Sequence, residues 1–191
     1  MMKNIGIFIA SAALIILAGC NQKKEKVQAT TDNQEQTADS TVYGVCGDGT
    51  SMHSLEIITD AGDTLTYAII DDEYADDGTS STPVSRVEGG LMAGDKMAVT
   101  GHKADGELIA DNVINVTSLL GRWTSIDKNF EIEEGGTVRS SVKAETNPWT
   151  SWKILNGQLL LNRDTFDVVS LGADSLYIEN SKGIFTFTRQ K

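Results

Sequence analysis

Two histidines and two cysteines are the side chains of this chain best suited to chemistry. His53 follows Met52, His102 lies beyond Met97, and Cys46 is the nearest thiol. Imidazole, thioether and thiolate together suit a copper ion. Their spacings match no ligand motif, so ordinary packing is the reading adopted for all five. Asp71, Asp72, Glu73, Asp76 and Asp77 offer oxygen ligands for calcium. They lack the 1-3-5 alternation and sixth-position glycine of an EF-hand loop, and read as a solvated acidic loop. Nucleophilic catalysis needs a serine on a sharp elbow such as G-x-S-x-G with a histidine in reach, and no such elbow occurs in the sequence. The expectation is a protein that is not an enzyme and uses no metal and no cofactor.

The other cysteine, Cys20, carries a different chemistry. An apolar run from Ile5 to Ala18, preceded by Lys3, is shorter than the ~20 residues a helix needs to cross a bilayer. It fits a secretory leader: positive start, apolar centre, small residues before a cut. Leu17-Ala18-Gly19-Cys20 resembles the bacterial lipobox. That resemblance implies that the Cys20 thiol takes diacylglycerol, that cleavage follows Gly19, and that the freed amine is acylated. A thiolate is the nucleophile such a transfer needs. Each buried methylene adds ~0.8 kcal/mol of membrane affinity, so several acyl chains anchor stably. By resemblance to enterobacterial sorting, Asn21 at the next position directs the product to the outer membrane, and the following Lys-Lys-Glu-Lys, which is no acidic surface-export tag, favours the periplasmic face. With Cys20 lipidated only Cys46 remains. No disulfide can form, and Cys46 reads as a small buried hydrophobe.

The formal charge is −11, and loss of Lys3 with the leader takes it to −12. So acidic a chain repels phosphate backbones, which excludes nucleic acid as a partner. Residues 21–40, "NQKKEKVQATTDNQEQTADS", hold one Val, two Ala and no aromatic residue. They cannot bury enough apolar area to offset their ordering entropy, and read as a tether. The organisation expected is a leader over 1–19, a lipid-anchored tether over 20–40, and folded units over 41–117 and 118–191.

From Thr41 onward the apolar period is two, which specifies strands. Five strands over 41–117, punctuated by "DAGD", Gly94-Asp95 and Ala104-Asp105-Gly106, resemble a small OB-type barrel; 83–92 has room for a short helix. Over 118–191 the turns at Glu134-Gly135-Gly136, Asn156-Gly157, "GADS" and "SKG" separate seven strands. Such a meander closes most easily as an up-and-down barrel. The fold class expected is therefore all-β, an OB-like barrel followed by a small up-and-down barrel.

Gly121-Arg122-Trp123 on the first strand of the second unit resembles the lipocalin G-x-W signature. Arg189, on the last strand, stands where lipocalins place an arginine against that tryptophan. The resemblance implies a closure in which a guanidinium covers the Trp123 indole. With "FEIEEGGTV", "SWKILNGQLLL" and "ADSLYI", and with Trp123 and Trp152 as its tryptophans, residues 118–191 resemble the small lipocalin-like domain of Gram-negative envelope lipoproteins. The resemblance implies a fold and no defined activity. Envelope copper-stress lipoproteins also combine the two barrel types, but in the reverse order and with a Cys-x-x-Cys pair that this chain lacks.

Trp123, Trp152, Ile154, Leu159, Leu161, Phe166 and Val168 are the residues expected to line a lumen and contact an apolar ligand. Strands of ~6 residues span only ~20 Å, and small barrels are readily filled by their own side chains. A packed core is thus favoured over a cavity, and both stay open. Two functions follow from different classes. One is a binding module whose second barrel holds a small apolar, amphipathic or lipid-like ligand. The other is a structural or stress-sensing protein whose OB-like unit contacts another envelope protein. A hydrolase ranks last.

Overall fold

Leu55 and Ile57 are fully buried while Glu56 is half-buried and Ile58 exposed. This is the period of a strand with one face on a core, and the pattern recurs along most of the chain. The computed structural model describes residues 38–71, 83–141 and 147–191. All of them fall in one compact unit, Thr37–Lys191. The leader, Cys20 and most of the tether lie outside the described residues, as do Asp72, Glu73, Asp76 and Asp77 of the acidic loop.

The first barrel is built from β1 (Val42–Cys46), β2 (Ser54–Thr59), β3 (Thr64–Ala68), β4 (Arg86–Glu88), β5 (Lys96–Ala104) and β6 (Glu107–Asn115). β1 pairs antiparallel with β2 and β5, β2 with β3, and β5 with β6. A parallel pairing of β3 with β6, at Tyr67↔Leu108 and Ala68↔Ile109, closes five strands into a small barrel. β4 continues the same side of β6 in parallel, from Arg86↔Asn112 to Glu88↔Ile114. Residues 83–92 thus hold a short strand and not a helix. Gly89 and Gly90, both at positive φ, end the segment before a helical nucleus can extend.

Asn115, fully buried, turns the chain into the second barrel. Its Oδ1 accepts the Ser118 N–H at 2.8 Å and its Nδ2 donates to Asp95 Oδ2 at 2.7 Å. This caps α1 (Val116–Leu119), a single turn of helix. There follow β7 (Gly121–Thr124), β8 (Asn129–Glu133), a 3₁₀ turn (Glu134–Gly136), β9 (Thr137–Ser140), β10 (Trp152–Leu155), β11 (Gln158–Leu161), β12 (Asp164–Leu171), β13 (Ser175–Asn180) and β14 (Gly183–Arg189). The strand order is β10-β11-β12-β13-β14-β7-β8-β9. This is an up-and-down barrel of eight strands, one more than the sequence count. Residues 121–140 make three strands, divided by a turn in which the Ser125 N–H bonds the Lys128 carbonyl at 2.7 Å and by the positive-φ pair Gly135-Gly136. The barrel is nearly closed: β9 and β10 meet through the single bridge Thr137↔Ser151.

The two barrels share a wall. Met97 and Val99 of β5 and Val113 of β6 face the first core. Ala98, Ile114, Val116 and Leu119 pack into the second. β5 and β6 are apolar on both faces at these positions, as strands covered on both sides must be.

Candidate functional site

The lower end of the second barrel is capped by Arg189. Its guanidinium carbon lies 4.1 Å from the centre of the Trp123 ring. It donates to Ala173 O at 2.6 Å, to Leu120 O at 2.7 Å, and to Ser118 O. The Trp123 indole N–H donates to Leu119 O at 2.9 Å, so both halves of the cap tie the first and last strands to α1. Gly121 sits at φ +121°, and a Cβ there would lie 2.6 Å from Arg189 Nη1. Glycine is required both by the backbone and by the approach of the guanidinium. Burial lowers the Arg189 pKa from its usual value, with Asp174 opposing; the group remains a cation.

Trp123, Ile154, Leu159, Leu161, Phe166 and Val168 are all buried, none more than 3% exposed, within one cluster that also contains Phe130, Trp149 and Phe187. The structure places these six in packed core. Trp152 differs. It is half-buried at the seam between β9 and β10, and its indole N–H donates to Glu133 O at 2.7 Å.

Trp152 lines a groove of about 370 Å³ where the barrels meet. Tyr43, Val116, Leu120 and Trp152 form its apolar floor, and Asp60, Lys96, Glu134 and Lys153 its charged rim. A recess of about 160 Å³ continues it past Tyr43, Gly44 and Met97. Lys96 and Glu134 pair across the rim at 3.1 Å. Tyr43 fixes the floor: its hydroxyl donates to Ile154 O at 2.6 Å and accepts the Ile154 N–H at 3.2 Å. Burial raises the Tyr43 phenol above its usual pKa, against the opposing hydrogen bond to Ile154, so it keeps its proton. Beside it Asn156 Oδ1 accepts the Ser40 N–H at 2.8 Å, and the Asn156 N–H donates to Thr41 Oγ1 at 2.8 Å. Ser40 and Thr41 thus lie against the β10–β11 turn.

Elsewhere, His102 Nδ1 lies 2.7 Å from Asp111 and His53 Nδ1 3.3 Å from Asp71. Cys46 is buried with its Sγ 3.3 Å from Thr50 Oγ1, and Met97 is core. Among the described residues no three His, Cys, Asp or Glu side chains are grouped to hold a metal ion. A polar cleft of about 650 Å³ between β3 and the β5–β6 hairpin is lined by His53, Thr64, Thr66, Lys103 and Glu107 among others.

Trp149 is a barrel-closing residue that sequence reasoning missed. It closes the other end of the second barrel, stacked edge-on with Phe130 and Phe166 and covered by Lys128 Nζ, 4.2 Å from its ring. The available signal was a lone indole in the polar run "AETNPWTS".

A family model described as lipocalin-like matches residues 115–190, which is α1 and the second barrel. It covers Gly121, Trp123 and Arg189, the residues of the lower cap. Neither the curated proteins nor the solved structures gave a match.

Proposed function

We propose that this chain is a non-catalytic binding protein, held at a membrane by acyl chains on Cys20, that takes a small apolar or amphipathic ligand against its lipocalin-like barrel. The observation carrying this reading is the groove beside Trp152. Its volume, about 370 Å³, is in the range of small-molecule sites, ~300–1,000 Å³. It joins an apolar floor to a charged rim, which suits a ligand with a tail and a head. The packed lumen favours the groove over the barrel interior as the seat. The lipobox-like Leu17-Ala18-Gly19-Cys20 supports the lipid anchor, and Asn21 with the Lys-Lys-Glu-Lys run after it an outer-membrane address facing the periplasm.

Native mass spectrometry of protein taken from its own envelope tests the binding. A small molecule recovered at one per chain, and lost in Val116→Trp, which fills the groove, supports the reading; a bare chain refutes it. Cys20→Ser tests the anchor, and should move the protein from the membrane fraction to the soluble fraction. A second reading, contact with another envelope protein through the OB-like barrel, rests on the cleft beside β3. Among the described residues none pairs with Thr64–Thr66 on the side away from β2, an edge that can accept a partner strand.

A further inference from the structure

We propose that Trp149 is a displaceable stopper, and that the niche it fills is a latent binding site inside the second barrel for a flat aromatic group. Between Asn147 and Ser151 the one buried side chain is Trp149; its neighbours are exposed or half-exposed, and the segment belongs to no strand. The barrel mouth is thus closed by a side chain that lies outside the named strands, two residues before the isolated bridge of Ser151 to Thr137.

The niche is specific for an aromatic ring. Phe130, Phe166 and Phe187 meet the indole at steep angles, with centroids 5.1, 5.7 and 6.3 Å away. Lys128 places its ammonium 4.2 Å from the ring centre. Edge-to-face walls and a cation above the π face select an electron-rich planar ring over an aliphatic group. A ligand of indole size would make the contacts Trp149 makes.

Backbone bonds from Val138 N–H to Thr150 O at 3.1 Å and from Asn162 N–H to Ser151 O at 2.9 Å hold the residues after Trp149, and one side chain adds to them. Asn162 Oδ1 accepts the Thr150 N–H at 2.8 Å, the Ser151 N–H at 3.1 Å and the Thr150 hydroxyl at 3.1 Å, and its Nδ2 donates to Pro148 O at 3.1 Å. This clasp holds the residues on either side of Trp149 and nothing in the core. Next to the niche, and sharing Lys128 and Phe187 with it, runs a slot of about 490 Å³ between the 125–128 turn and β14. Its other walls include Ile126 and Ile184, both exposed, and Phe185. A displaced indole has an apolar surface to lie on, so the open state does not lose the whole of its burial. Two seats for one ring, separated by a clasp, make a bistable element whose equilibrium a ligand can shift.

Indole itself is the probe. The protein is labelled with 5-fluorotryptophan, and Trp149→Phe assigns the Trp149 signal in the fluorine spectrum. Saturating indole is expected to move that signal and leave Trp123 in place. Asn162→Gly keeps the positive φ of 58° and removes the clasp. By raising the open fraction it should tighten indole binding about tenfold, the worth of one to two net hydrogen bonds. Asn162→Asp keeps the oxygen, loses the N–H to Pro148, and should tighten it by a smaller factor. Indole that binds without moving the Trp149 signal, or equal or weaker binding by both variants, would overturn the proposal. So would absence of binding in all three proteins. Since the groove beside Trp152 is at the opposite end, loss of binding there in Val116→Trp leaves this result unaffected.

Discussion

Replacing Arg189 with methionine keeps the aliphatic cover over Trp123 and removes the charge and its N–H groups. Three hydrogen bonds go, to Ala173, Leu120 and Ser118. At about 1 kcal/mol each net, appropriate to a side chain that is half exposed, they sum to about 3 kcal/mol. The cation over the indole adds about 1 kcal/mol. A loss of about 4 kcal/mol is a large part of the ~5–15 kcal/mol that holds a domain folded. At ~2–4 °C per kcal/mol for a unit of this size, it lowers the Tm by roughly 8–16 °C. Urea unfolding of the leaderless protein measures it, with an unchanged m-value as the sign that only stability moved. Arg122→Met is the control. Arg122 also lies on β7 but is 63% exposed and pairs with Glu131 at 3.1 Å, so it should cost under about 1 kcal/mol. If the two variants cost the same, Arg189 is a solvated rim charge and the closure argument fails.

Gly121→Ala meets the same cap from the other side: a Cβ at positive φ and 2.6 Å from Arg189 Nη1 should cost about 1–3 kcal/mol in the same assay. Tyr43→Phe removes the hydroxyl that both donates to and accepts from Ile154, and should cost about 1–3 kcal/mol; no loss would mean that this hydroxyl adds nothing to the joint between the barrels. Glu88, whose Oε2 accepts the Leu171 N–H at 3.0 Å, has its pKa raised by burial, with that hydrogen bond and Arg86 opposing. The folded state then holds its proton more tightly than the unfolded state, so stability falls as pH rises above the usual carboxylate range. Glu88→Gln should therefore stabilise the protein at pH 7 relative to pH 3; equal effects at the two pH values would contradict this.

Both barrels were legible because the signals were local. Alternation at Leu55 and Ile57, Asn156-Gly157 as a hairpin turn, and the pairing of Gly121-Arg122-Trp123 with Arg189 each concern a few residues whose types fix a conformation. β4 was missed because three residues carry no period, and it exists only where β6 offers a free edge. The groove was missed for another reason. Its floor joins Tyr43 and Val116 to Trp152, segments brought together by the shared wall of β5 and β6. Trp149 gave no warning because its neighbours are polar. Its burial comes from Phe130, Phe166 and Phe187, on three different strands.

That shared wall bears on how the second barrel can bind anything. A lumen of this size can hold either its own aromatic side chains or a ligand, and here Phe130, Trp149, Phe166 and Phe187 occupy it. The lower mouth is closed by Arg189 over Trp123 and backed by Ala98, Ile114 and Leu119 of the adjoining structure. Space for a ligand then remains in two kinds of place: at rims, where two structures meet without filling the corner, and under a side chain that can leave. The groove at Trp152 is of the first kind and the niche at Trp149 of the second. A ligand in the groove touches Tyr43 and Lys96 of one barrel and Trp152 and Glu134 of the other, so its affinity depends on their relative placement. Tyr43→Phe, which loosens that placement while keeping the aromatic ring of the floor, should weaken such a ligand while leaving indole binding at the far end intact.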